Sequence, residues 1–144
     1  MNLRFAFAVN NSNSFEKKHF GDADKYLIFE SKQDRLVLIE ELINTFQNFE
    51  ENTHGLQKKG VLISNYLLQS GVNVIVSQQF GRNVTEVSKY FIPIVVYFET
   101  IDSVVNALNE KMRWINEEMA RKSERYKLFK IKSGILKIDV DEYE

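Results

Sequence analysis

GVNVIVSQQFGRNVTEVSKYFIPIVV, residues 71–96, decides the fold class. Its first β-branched run, 72–76, stops at a polar turn. A short helical stretch follows over 83–90, and a second run, 92–98, is apolar without interruption. Just upstream, residues 60–69 place Leu62, Ile63, Tyr66 and Leu67 at helical spacing, with Gly71 where a helix C-terminal cap belongs. The order helix, strand, helix, strand with continuous rather than alternating hydrophobicity predicts strands covered on both faces, a sheet between helix layers.

Working outward, residues 3–9 read as a first strand that ends at an Asn-Asn-Ser-Asn-Ser loop. Runs at 26–29 and 35–39, separated by polar 31–34, predict an antiparallel hairpin. Residues 46–59 are polar, with His54-Gly55 near the middle, and read as a connecting loop. Beyond the central stretch, Ile101, Val105, Leu108, Met112, Ile115 and Met119 step by four and three, which predicts one long amphipathic helix with Asp102 as its N-cap. Runs at 128–131 and 135–140 flank Lys132-Ser133-Gly134 and predict a small terminal hairpin. The expected organisation is a domain over 1–120 and a C-terminal extension over 121–144, packed on the same domain or on a partner subunit. The apolar stripe at the helix end makes a homodimer through that helix and hairpin the second of these arrangements.

Composition narrows the function. At 144 residues and 44% hydrophobic content the chain closes one ordinary core. Nineteen basic against 20 acidic side chains leave a formal charge of −1, so no global field draws it to nucleic acid or a membrane surface. With no cysteine, protein thiolates are excluded as metal ligands. No segment reads as a membrane span or signal peptide, and the expectation is a cytoplasmic protein.

Two loops attract attention. In KHFGDADKYLIFES, residues 18–31, a histidine, a Phe-Gly turn and two aspartates precede a strand; Gln78-Gln79-Phe80-Gly81-Arg82-Asn83 lies between a strand and the next helix. In a largely parallel sheet both loops leave carboxyl ends of strands, where ligand crevices form. Gly81 permits close backbone approach, and Asn83 with the amides of the following turn, beside Arg82, suits an anion; the plainer reading is a turn before a helix. His19 reads either as an exposed loop residue or as a metal ligand. His54 is the other imidazole, and reads either as a solvated loop residue or as a second metal ligand folding toward the same crevice. Asp22 and Asp24 read as a solvated turn or as ligands for a hard cation. No nucleophile triad, phosphate loop, dinucleotide fingerprint or zinc-protease helix is present, so a non-enzymatic role is expected.

KHFGDADKYLIFE (18–30) after the first strand, together with the stretch at 71–96, resembles the dinitrogenase iron-molybdenum cofactor biosynthesis family, the nitrogenase accessory-factor domains, over roughly residues 1–108. The resemblance implies a three-layer α/β/α fold, a ribonuclease-H-like motif with a mixed five-stranded sheet, to which this chain adds the rest of the long helix and the hairpin. It further implies that His19 matches a candidate cluster ligand, Gly21 the turn after it, and Gly81 and Asn83 the glycine and asparagine before the helix. Where the family often reads Cys-Gly-Gly-Ile-Gly, this chain has Ser77-Gln78-Gln79-Phe80-Gly81. Two functions follow: a carrier for an iron-molybdenum-type cluster or a small anion, held by His19 with Gly21, Gln78, Gln79, Gly81, Arg82 and Asn83 around it; or an interaction module that keeps the fold without the ligand.

Overall fold

A computed structural model describes residues 2–47, 58–81 and 84–139. In chain order the elements are β1 Arg4–Val9, a 3-10 turn Phe20–Asp22, β2 Lys25–Lys32, β3 Arg35–Ile43, α1 Lys58–Gln69, β4 Val74–Ser77 and α2 Val84–Val87. β5 Ile92–Tyr97, α3 Ile101–Glu110, α4 Met112–Ala120, β6 Leu128–Lys132 and β7 Ile135–Asp139 complete the chain. One sheet takes them in the order β3-β2-β1-β4-β5-β6-β7, parallel from β1 through β6 and antiparallel at β1–β2, β2–β3 and β6–β7.

The alternation of β1 explains the two layers. Phe5 and Phe7 point into a core with Val104, Leu108, Met112 and Ile115 of α3 and α4, while Ala6 and Ala8 face Ile63 and Leu67 of α1 and Val84 and Val87 of α2. Small side chains on the second face let α1 approach closely. Helix α1 ends as its sequence suggests: Gly71 adopts φ +79, its N–H donates to the Leu68 carbonyl at 3.0 Å, and Val72 N–H donates to the Leu67 carbonyl at 3.0 Å. These are the two bonds of a Schellman cap. Both hairpins turn through two residues with positive φ, Gln33-Asp34 and Ser133-Gly134, the twist that matches paired strands.

Three expectations are corrected. The sheet has seven strands, not five, because the terminal hairpin is part of it. Without β6, the free side of β5 would present a row of unpaired backbone groups. Instead β6 pairs with it in parallel register from Ile94↔Phe129 to Tyr97↔Lys132, and Phe129, Ile131 and Leu136 enter the α3/α4 core. The long helix is two helices, broken at Lys111 with φ −124. At the break Asn109 Oδ1 accepts from Leu36 N–H of one edge strand at 2.8 Å, and Lys111 Nζ donates to the Leu136 carbonyl of the other at 3.1 Å. The break therefore follows the twist of the sheet and ties down both of its edges. Finally, the N-cap of α3 is Thr100, not Asp102: Thr100 Oγ1 accepts from Ser103 N–H and Ser103 Oγ from Thr100 N–H, each at 3.1 Å. This is a reciprocal capping box, with Asp102 left in the first turn.

The apolar end of the helix does not overhang the sheet. Ile115, Leu128, Phe129 and Ile131 are buried within one chain. Deleting residues 122–144 should therefore remove Leu128, Phe129, Ile131 and Leu136 from the core, at roughly 1.5–3 kcal/mol each. The expected product aggregates in light scattering and lacks a cooperative thermal transition; a folded, monodisperse truncation would show that the hairpin is dispensable. No helix among the described residues is long and apolar enough to cross a membrane.

Candidate functional site at the carboxyl ends of β1 and β4

β1 and β4 are adjacent and parallel, so the loops after them leave at the same end of the sheet. They join there. His19 and Gln79 form a parallel bridge, and Phe20 N–H donates to the Gln79 carbonyl at 2.9 Å. Phe20 and Phe80 turn inward and pack on each other, ring centroids 5.6 Å apart. Phe80 thus anchors its loop in the core. Buried Ser77 braces the same turn, its Oγ donating to the Gln79 carbonyl at 3.0 Å.

The 3-10 turn that carries His19 is fastened from three sides. The Tyr26 hydroxyl donates to the Phe20 carbonyl at 2.6 Å. Burial, reinforced by the charge of Asp22, pushes this phenol well above its ordinary pKa, so it remains a donor. Buried Asn44 donates from Nδ2 to the carbonyls of Gly21 at 2.9 Å and Ala23 at 2.8 Å, and its Oδ1 accepts from Phe46 N–H at 3.0 Å. Lys59 of α1 pairs with the Asp22 carboxylate and donates to the Gln47 carbonyl at 3.0 Å. Gly21 sits close under α1; a Cβ there would lie 3.3 Å from Ile63 Cδ1.

The two aspartates are consequently structural. Asp22 is held by Lys59, while Asp24 accepts from Gln47 Nε2 and from Asn11 N–H at 3.0 Å. The Gln47 hydrogen bond is the main reason that the Asp24 carboxyl lies below the usual aspartate pKa. Neither is left over for a cation.

His19 is different. Its imidazole is exposed, makes no hydrogen bond among the described residues, and lies across Gly81. A Cβ on Gly81 would stand 2.7 Å from His19 Cε1, 2.8 Å from Nε2 and 3.0 Å from Nδ1, and Gly81 has φ +68. Glycine is required here twice over, for the left-handed backbone and for the space that the ring occupies. Gln78 and Gln79 are half-buried in the same turn. Arg82, Asn83 and His54 lie outside the described residues.

The donor set limits what fits. Among the described residues no group of three or more His, Asp or Glu side chains could hold a metal ion. A bare ion would find one imidazole. A preassembled cluster, whose metals already carry their own bridging ligands, needs little more than one protein donor and a close backbone. A cavity of about 260 Å³ lies between α1 and α2; beside Phe20, Val61, Leu68, Val87 and Tyr90 its lining includes Ser64, Asn65 and the Glu86 carboxylate, which does not suit an anionic cluster.

Sequence reasoning found the two loops but missed their anchors. Asn44, directly after β3, is a turn-former and carried a weak signal. Lys59 and Tyr26 carried none, because their partners in the loop are set by the tertiary fold. No curated protein matches the chain in sequence. Family comparison is decisive over its first three quarters, from β1 through α3: the chain belongs to the dinitrogenase iron-molybdenum cofactor family, whose model matches residues 1–111.

Proposed function

We propose that this chain carries an iron-molybdenum-type metal cluster, or a related small anionic cluster, as cargo, and that His19 is its protein ligand. The observation that supports this most directly is the imidazole lying across Gly81, without a hydrogen bond among the described residues, where β1 and β4 end side by side. A neutral imidazole nitrogen is a good donor to iron and other transition metals. The ring is already positioned by a loop that Tyr26, Asn44 and Lys59 hold fast. The bare Gly81 backbone lets a bulky cluster come close. In sequence Gly81 leads into Arg82 and Asn83, which the same proposal assigns to the cluster's negative charge. His54 is proposed as the secondary imidazole.

Such a site holds and releases; no acid-base pair is assigned to it among the described residues, and the proposed role is non-enzymatic. The test is metal analysis of protein isolated anaerobically from its native host. Molybdenum and iron copurifying in a fixed ratio to protein are expected. Protein isolated in this way without either metal, and unable to take up supplied cluster, would favour the interaction module instead.

A further inference from the structure

The α1/α2 face of the sheet, whose core takes in Leu128 and is packed by Val95, is left partly uncovered at its outer strands, a surface that the cluster site does not use. Across β5, β6 and β7, Val95 stands opposite Lys130 and Lys130 opposite Lys137; one row on, Tyr97 stands opposite Lys132 and Lys132 opposite Ile135. Residues directly opposite on paired strands share a face. The other face of these strands sends Phe129, Ile131 and Leu136 into the core, whereas Tyr97 is 39% exposed, Ile135 48%, and Lys132 and Lys137 are exposed as well. Phe98, which follows Tyr97, is 90% exposed.

Two features of this face oppose stability. Lys130 and Lys137 are a like-charge pair directly across an antiparallel ladder, which is repulsive. Among the described residues none of the three lysines has an ion-pair partner. Phe98 holds φ +54, a backbone region unfavourable for a bulky side chain, and is fixed there by its neighbours. Glu99 Oε1 accepts from Gly134 N–H at 2.9 Å and from Ser103 Oγ at 3.1 Å, and Thr100 caps α3. Asp139 stands at the far end of the face, opposite Leu128. A chain with a formal charge of −1 thus concentrates three cations around an exposed tyrosine, with Lys132 Nζ 6.0 Å from the Tyr97 ring centroid. β6 and β7 lie beyond residue 111, where the family match ends.

We infer that this face docks an acidic segment of a partner protein. Carboxylates pair with Lys130, Lys132 and Lys137, and an apolar side chain packs against Tyr97, Phe98 and Ile135. Lys130 and Lys132, two apart on one strand, are about 6.6 Å apart, the spacing of alternate side chains on an extended peptide. The docking uses the face rather than the edge of β7, since Lys111 occupies the Leu136 carbonyl. A nucleic acid is the weaker match, because its affinity depends on many phosphate contacts and three lysines supply few.

Fluorescence anisotropy of the full chain with a fluorescein-labelled peptide alternating glutamate and phenylalanine tests this. A lysine-phenylalanine peptide and a 12-nucleotide single-stranded DNA serve as comparisons. The acidic peptide should bind, less tightly as salt is raised, and about tenfold less tightly to the Lys130→Gln/Lys132→Gln/Lys137→Gln variant. Lys130→Glu should weaken binding while raising Tm by about 2 °C, because the new carboxylate faces Lys137. That combination separates lost docking from lost folding. No binding of the acidic peptide, binding indifferent to the lysine substitutions, or tighter binding of the DNA would overturn the inference.

Discussion

Replacing Asn44 with Ala should lower stability by roughly 2–4 kcal/mol, because one buried side chain closes three hydrogen bonds and its loss strands two carbonyls and an N–H. In a chain of this length that corresponds to a fall in Tm of about 10 °C. The effect should not stop at stability. Gly21 and Ala23, whose carbonyls Asn44 holds, follow His19 within four residues, so the backbone that carries the imidazole loses its fixed position as well. Asn44→Asp is the informative companion. It keeps an acceptor for Phe46 N–H but has no donor for the two carbonyls and sets a carboxylate against them, so it should be at least as damaging. A loss below about 0.5 kcal/mol for Asn44→Ala, measured by denaturant unfolding, would mean that Tyr26 and Lys59 suffice to hold the loop.

Gly81→Ala should have the larger effect on the site and the smaller one on the fold. The left-handed backbone costs an alanine about 1–2 kcal/mol. Its methyl carbon would overlap the His19 ring at 2.7 Å, but the ring is exposed and can swing aside, so the clash displaces the imidazole instead of unfolding the loop. Cluster affinity should fall by roughly 10- to 100-fold, as when a group that orients a metal ligand is lost. Gly81→Asn separates the two causes, since asparagine tolerates this backbone region. It should recover most of the stability and none of the binding. If both variants bind as tightly as the wild type in anaerobic titration, the contact between His19 and Gly81 has no part in binding.

The contrast between these residues shows how far the sequence could be read. Residues 71–96 announce their strands because short runs so rich in β-branched residues have few alternatives, and the convergence of His19 with Gly81 follows once β1 and β4 are parallel. The terminal hairpin was legible as a hairpin, but nothing local says that Phe129 and Ile131 will extend the sheet at β5. That depends on an edge needing cover. The break at Lys111 was invisible for a similar reason. A four-three apolar period continues through it, and what bends the helix is the pair of distant strand edges that Asn109 and Lys111 reach. Asp22 and Asp24 looked like cation ligands because their spacing fits. Their true partners, Lys59 and Gln47, are more than 20 residues away in the chain.

In the proposed function His19 is the residue on which cluster carriage depends, since no thiolate is available to replace it. The most direct measurement is anaerobic incubation of wild type, His19→Ala and His54→Ala with isolated iron-molybdenum cluster, followed by gel filtration and metal analysis of the protein peak. Wild type should retain molybdenum and iron, His54→Ala should lose part of this, and His19→Ala should retain essentially none while its thermal transition stays close to that of wild type. Equal retention by wild type and His19→Ala would contradict the assignment.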